Sequence, residues 1–158
     1  MRKNILIGIS FVLVTFIFTT IVFVIRGNRP MVQAKKEAVA IASKHADLKS
    51  VDKFYWFTRK ETTFTLVGKN AKNEGIIVFI PEDGSELTVC NQADGITENE
   101  ALKVVADEIK PHRLLKVSLG LVENDPTWEV MTEDEDGVIS YYLVDFGIGK
   151  IIGSMTNV

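Results

Sequence analysis

The stretch ITENEALKVVADEIKP, residues 96–111, decides the fold because it marks both ends of a helix in the middle of the chain. Thr97 and Glu100 have the spacing of a capping box, in which each side chain accepts a hydrogen bond from a free backbone N–H of the first turn. Ile96 precedes the cap in the position of a hydrophobic staple, and Pro111 ends the helix. The apolar residues between them recur at helical spacing: Ala101, Leu102, Val105 and Ile109.

The same order of a helix followed by strand-like runs occurs on both sides of this stretch. Before it lie a helical pattern at residues 32–48 and apolar runs at 54–57, 63–67, 76–80 and 87–89. After the helix come candidate strands at 114–122, 127–132, 138–144 and 150–155. Aligning Gly84 with Gly149 also aligns Ile77 with Tyr142, at an offset of 65 residues. The sequence therefore predicts an α+β fold of two tandem units, each with one helix packed on an antiparallel sheet.

A membrane anchor is predicted before the first unit, because residues 5–25 contain no charge. These 21 residues are enough to cross the hydrocarbon core of a bilayer, about 30 Å thick, as a helix. A cleaved signal peptide is the alternative, with Val32 and Ala34 as small residues at a cleavage site, but a signal's apolar region is usually only about 7–15 residues long. The predicted divisions are an anchor at 1–30, a first unit at 31–93 and a second at 94–158.

Two features of the sequence give conflicting indications of the side of the membrane on which the two units lie. Arg2 and Lys3 precede the span, whereas four basic residues follow it, and the positive-inside rule counted literally would place the units inside the cell. A very short tail before a signal-like helix commonly stays inside while the rest of the chain is exported. We expect a single-pass protein of the cell membrane, held by lipid contact of residues 5–25, with its C-terminal domain outside the cytoplasm.

Composition excludes several classes of function. Residues 27–158 carry a net charge of −6, and the second predicted unit alone carries −8, so a basic surface for nucleic acid is absent. The chain has a single cysteine, Cys90, which rules out an internal disulfide or a cysteine-rich zinc site. The only histidines are His45 and His112, and neither stands in a catalytic signature with Cys90.

Two further motifs resemble ligand sites but have simpler explanations. The glycines at 147 and 149 lie between two strands rather than before a helix, as a phosphate-binding loop would require. The acidic run 133–137 lacks the ligand spacing of an EF-hand loop, which favours a solvated hairpin turn over a calcium site. We therefore expect no metal, no cofactor and no catalytic residue.

The aromatic run at residues 54–57 is the strongest candidate for a contact surface. Successive residues of a strand point to opposite faces, so both faces of this strand are apolar. One pair either fills the interface between the two units or forms an exposed aromatic patch for a partner protein. The candidate contact residues are Tyr55, Phe57, Trp128 and Tyr141.

Several motifs together resemble one known family over nearly the whole chain: FYWF at 54–57, LVGKN at 66–70, GITENEA at 95–101, WEV at 128–130 and YYLVDFGIGKII at 141–152. They resemble the YpmB/TseB family of Gram-positive bacteria. The resemblance implies a single-pass membrane protein with two PepSY-like (cystatin-like) units outside the cell. It also implies that the protein regulates cell-wall elongation through a class B penicillin-binding protein. At residues 146–149 an apolar residue and an extra glycine replace the polar turn of the family pattern.

Three functions remain open from the sequence. The first is a non-enzymatic interaction module that acts on a wall-building enzyme. The second is an inhibitor or chaperone-like module for an extracellular protease, because isolated PepSY units resemble protease propeptides. The third is an enzyme, whose turnover would depend on Cys90, His45 or His112.

Overall fold

The computed structural model describes residues 2–156, and in the first helix it describes the side chains of 12–20 and of residue 30 onward. Two α-helices and eight strands make up this part of the chain. In order, they are α1 (Arg2–His45), β1 (Leu48–Thr58), β2 (Thr62–Asn70), β3 (Gly75–Pro81), β4 (Thr88–Asn91), α2 (Glu98–Ile109), β5 (Arg113–Val122), β6 (Asp125–Glu133), β7 (Ile139–Asp145) and β8 (Ile151–Thr156). A short 3-10 helix, Gln92–Asp94, connects β4 to the segment before α2.

The chain divides into two compact units, Met1–Lys36 and Glu37–Val158. Within the described residues, no helix contains a stretch both long enough and apolar enough to cross a membrane. Much of the predicted span 5–25 lies outside the residues whose side chains are described, so the anchor stays a prediction.

Both antiparallel sheets predicted from the sequence are present, and the α+β class is confirmed. The first sheet has the order β1-β2-β3-β4 and the second the order β5-β6-β7-β8. Gly84 and Gly149 occupy the loop between the third and fourth strands of their sheets, with φ angles of 78° and 67°. Both positions thus need a left-handed backbone, which glycine adopts without steric cost. The predicted boundary at 93/94 falls in the 3-10 helix between the two sheets.

The end of α1 covers one face of the first sheet. Ala38 and Ala42 are buried there, and their small side chains allow the helix to approach the strands closely. On the sheet side, the buried apolar residues of this first core are Leu48, Leu66, Ile76, Val78 and Ile80. The helical pattern predicted at residues 32–48 therefore supplies the packing face of the helix through its alanines.

A second core lies between the two sheets and α2. Ile77 and Phe79 of β3 belong to it, although their neighbours in sequence belong to the first core. Ala101 and Val105 of α2 are fully buried in this core. The second sheet contributes Leu119, Trp128, Val130, Val144 and Phe146. The first sheet is thus covered on both faces, which explains why β3 is an unbroken apolar run.

The predicted capping box of α2 is confirmed. The Thr97 N–H donates to Glu100 Oε2 at 2.7 Å, and the Thr97 hydroxyl accepts a hydrogen bond from the Glu100 N–H. The segment before the helix is tied to the second sheet, because the Ile96 N–H donates to the Phe146 carbonyl at 2.7 Å. In the segment that departs from the family pattern, Phe146 is buried in the second core, whereas Ile148 is 67% exposed.

Candidate functional site

The structure separates the four candidate contact residues. Phe57 and Trp128 are 1% and 3% exposed, and the Trp128 ring meets the Tyr55 ring edge-on with 5.6 Å between centroids. Trp128 lies in the second core, and Phe57 packs against Gly120 of β5, so both side chains are buried in this structure. Tyr55 and Tyr141 are half-buried. Contact of Tyr55 or Tyr141 with a partner stays a prediction.

A polar cluster connects β1 of the first sheet to the start of α2. The Tyr55 hydroxyl donates to Glu98 Oε2 at 2.6 Å, and Lys53 forms an ion pair with the same oxygen. Burial, together with the hydrogen bond to Glu98 and its charge, raises the pKa of Tyr55. Partial burial alone would raise the pKa of Glu98, but the hydrogen bonds from Lys53 and Tyr55 and the charge of Lys53 outweigh burial and lower that pKa. The cluster is satisfied internally and connects the first sheet to α2.

The Glu98 contribution to stability is expected to depend on pH. Because its pKa is lowered in the folded state, the stabilisation is present above the ordinary value of 4.5 and is lost as pH falls through the lower, folded value. At pH 7 we expect Glu98→Gln to lower the free energy of unfolding by about 1 kcal/mol. Thermal melting of both proteins from pH 7 to pH 3 should show this difference shrinking at the acidic end.

Asp47→Asn is the matched control for this prediction, because the Asp47–Lys49 pair lies on the surface with both side chains about 60% exposed. Such an exposed ion pair contributes little to stability. The free energy of unfolding of the control should therefore differ from that of the unmodified chain by less than about 0.5 kcal/mol at every pH. A difference for Glu98→Gln that persists unchanged at pH 3 would contradict the assignment.

Cys90 has the properties of a packing residue. It lies on β4 opposite Ile77 and packs against the second core. Burial, with a smaller effect from the charge of Asp94, raises the pKa of the Cys90 thiol to about 11. A thiol with that pKa is protonated at neutral pH and is a weak nucleophile. His45 ends α1 and His112 precedes β5, and no hydrogen bond between described residues joins either of them to Cys90.

The acidic run 133–137 ends β6 and forms the turn between β6 and β7, as predicted. Asp134 Oδ1 accepts hydrogen bonds from the N–H groups of Asp136 at 2.9 Å and Val138 at 2.8 Å. Gly137 has a φ angle of 79°, which a tight turn requires. Across the described part of the chain, no three His, Cys, Asp or Glu residues are grouped closely enough to hold a metal ion.

The most distinctive surface feature is a groove between the β1–β2 turn and one face of the second sheet. Glu129 lies opposite Leu143 and Tyr141 lies opposite Met155, so these four residues share a face, which we call the outer face. Arg59 in the turn reaches this face, where its Nε donates to Glu129 Oε2 at 2.6 Å. The groove between turn and sheet has a volume of about 650 Å³.

Arg59 is held in the groove by three contacts. Beside the pair with Glu129, its guanidinium carbon lies 6.0 Å from the centre of the Tyr141 ring, and Nη1 donates to Met155 Sδ at 3.7 Å. The Arg59 and Glu129 side chains are only 18% and 13% exposed. An ion pair this well shielded fixes the turn against the sheet.

The lining of the groove combines apolar and charged side chains. Its floor is apolar and aromatic, with Leu121, Tyr141, Leu143 and Met155, and its rim carries Lys60, Glu61 and Glu123. Apolar side chains of a bound segment can fill the floor while polar ones remain at the rim. Residues from both sheets are needed to form it.

Sequence reasoning predicted Tyr141 as a contact residue but missed Arg59 and Glu129. Glu129 is an acidic residue inside an apolar strand, and an outward polar position is common there, so the sequence carried only a weak signal. Arg59 stands in a polar turn 70 residues away from it, with no local pattern that points to a partner.

Comparison with known proteins places this architecture in a family. Residues 37–81 match the family model described as the cell wall elongation regulator TseB-like domain. A protein of Bacillus subtilis (strain 168) named probable cell wall elongation regulator TseB is 32% identical over 162 residues, covering 99% of each chain. The solved structure of the YpmB protein from Bacillus subtilis matches with a TM-score of 0.70 at 32% identity, covering 77% of this chain and 95% of that one. The chain belongs to the TseB-like family of cell wall elongation regulators.

Proposed function

We propose that this chain is a membrane-anchored, extracytoplasmic regulator of cell-wall elongation that acts by contact with a class B penicillin-binding protein and performs no chemistry of its own. The observation that carries the proposal is the 32% identity to TseB across 99% of both chains. Similarity over that length includes the N-terminal segment and both sheets, so it is not limited to a single motif.

The groove supports a role based on contact. Arg59 belongs to the first sheet's hairpin turn and Glu129 to the second sheet, so the surface around them exists only when both sheets are in place. Interfaces typically combine an apolar or aromatic centre with a polar rim, and Tyr and Arg are enriched among the residues that contribute most to binding. Tyr141 and Arg59 therefore provide suitable anchors for a partner.

The N-terminal segment supports attachment to a membrane. Residues 5–25 carry no charge, and Arg26 and Arg29 follow directly. Basic residues next to a span interact favourably with anionic lipid headgroups, by about 1 kcal/mol each. Held in this way, the two sheets would stay close to membrane-bound enzymes that build the wall.

Chemical crosslinking on intact protoplasts tests orientation and partner together. A crosslinker that reacts with lysine and cannot cross the membrane is added to cells producing the tagged full chain, which is then captured in denaturant. We expect a covalent product that contains a class B penicillin-binding protein, because Lys60 lies at the rim of the groove. Cells producing the untagged chain are the control.

Two results would overturn the proposal. The absence of any crosslinked product, with products appearing only after the protoplasts are lysed, would place the sheets inside the cell. A product that contains a secreted protease instead would favour the inhibitor or chaperone-like module.

A further inference from the structure

The outermost strand of the second sheet, β8, is an open edge. It pairs with β7 on one side, and its other side pairs with no strand in the described part of the chain. Its sequence, IIGSMT at residues 151–156, contains neither a charged residue nor a proline. Ile152 and Met155 are 53% and 46% exposed. An uncharged, partly apolar edge of this kind is a template for pairing with another extended chain.

The other outer strands are either shorter than β8 or carry charged residues that β8 lacks. β4 has only four residues and runs directly into a 3-10 helix. β1 and β5 lie next to each other, carry charged residues and are interrupted by bulges. β8 has a single register shift at its start, and its pairing with β7 is regular from Gly153 to Thr156. Natural proteins block exposed edges with charges, short strands or bulges, so an edge left open over these residues needs an explanation.

The charge around β8 indicates what would pair with it. From Asp125 to Thr156 the chain contains seven acidic residues and a single basic one, Lys150. Arg59, which reaches Met155 of β8 from the first sheet, is paired with Glu129. Thr156 pairs with Ser140, beside the acidic turn 133–137, so the end of β8 lies at the acidic end of the sheet. Of the acids in that turn, Glu133 is paired with Arg113, and no ion pair between described residues involves Asp134, Glu135 or Asp136.

A second copy of this chain is a poor occupant of the edge. Pairing of two β8 strands would bring together two halves that each carry a net charge of −8 over residues 94–158. Repulsion between halves of like charge opposes that association, whereas a basic segment would be attracted.

We propose that β8 pairs with an extended, basic segment of the partner protein, which adds a strand to the second sheet. The added backbone supplies hydrogen bonds, and pockets beside such an edge provide specificity by accepting alternate side chains. Met155 lies both on β8 and in the lining of the groove, so outward side chains of the added strand would lie at the groove rim. The proposal rests on the proposed function only in assigning the segment to a class B penicillin-binding protein.

Site-specific photocrosslinking in living cells tests the edge. A photoreactive residue replaces Ser154 of β8 in the full chain, and in a matched control it replaces Val89 on β4, the edge of the other sheet. We expect the position at 154 to crosslink to a segment of the penicillin-binding protein that carries net positive charge, and the position at 89 to give about a tenth of that yield or less.

Charge variants test the sign of the segment. Ile152→Lys should reduce the crosslinking yield from position 154 about tenfold, because a lysine repels a basic segment. Ile152→Glu should retain most of that crosslinking yield. Val89→Lys, at a position that is 45% exposed, should have no effect. Melting temperatures show that each variant is folded.

The outcomes separate this proposal from the function itself. Equal yields from positions 154 and 89, an unchanged yield in Ile152→Lys, or a product containing two copies of this chain would overturn the edge site. If tagged full chain still captures the penicillin-binding protein in that case, the proposed function stands. A crosslink from position 154 to a basic segment of a different protein would support the edge site and overturn the assigned partner.

Discussion

Trp128→Ala is expected to lower the free energy of unfolding by about 3–5 kcal/mol, the range for truncating a buried aromatic side chain. Trp128 is 3% exposed, its indole N–H donates to the Ile96 carbonyl at 3.0 Å, and its ring packs against Tyr55. The variant removes contacts to the second core, to the start of α2 and to β1 at once. Urea unfolding of the purified full-length chain measures the loss.

The same substitution at Trp56 is the matched control. Trp56 is only half-buried and contacts the edge of the Phe64 ring, with 5.2 Å between centroids. Its truncation should cost less than about 2 kcal/mol. An equal loss at both positions would mean that Trp128 does not occupy a shared core.

Gly120→Val is expected to destabilise the protein by about 3 kcal/mol, near the upper end for overpacking a close-packed interior. A Cβ atom at Gly120 would lie 2.2 Å from two atoms of the Phe57 ring, and Phe57 is 1% exposed. The added atom would also lie 2.6 Å from the Phe57 Cβ, so rotation of the ring alone does not relieve the clash. Thermal or urea unfolding should detect the loss.

A double-mutant cycle makes this prediction specific. Phe57→Ala removes the obstructing ring, so Gly120→Val should cost much less in that background, with a coupling of about 1–3 kcal/mol. Gly147→Ala is the control, because the nearest atom to its added Cβ is 3.4 Å away and its φ angle is not positive. Its effect should stay within about 0.5 kcal/mol. Additive effects of the Gly120 and Phe57 changes would refute the contact.

Local elements were predictable because their signals lie within a few residues. The capping box at Thr97 and Glu100, the strand periodicity and the glycine turns all depend on neighbours in the sequence. The repeat at 65 residues was visible for the same reason, since equal units carry the same local signals at the same spacing. The acidic turn at 133–137 is confirmed as a hairpin.

Only the structure shows which of the aromatic residues are buried and which are exposed. Periodicity shows that Tyr55 and Phe57 share a face of β1, but it does not show what covers that face. The covering elements, α2 and the second sheet, come from residues more than 40 positions later. Tyr55 packs against the second core, and Phe57 packs against Gly120 of the second sheet. Sequence reasoning therefore left an exposed patch and a buried interface as equal alternatives.

The sequence by itself determined the fold class, the repeat, the helix caps, the family and the uncharged span at 5–25. Only the tertiary structure decided that the two sheets share a core, that Arg59 pairs with Glu129 across 70 residues, and that β8 is left open beside a groove. The physical reason is the distance along the chain over which each interaction acts. Caps, turns and periodicity are local interactions, whereas burial, a shielded ion pair and an unpaired edge depend on which distant elements come together and which do not.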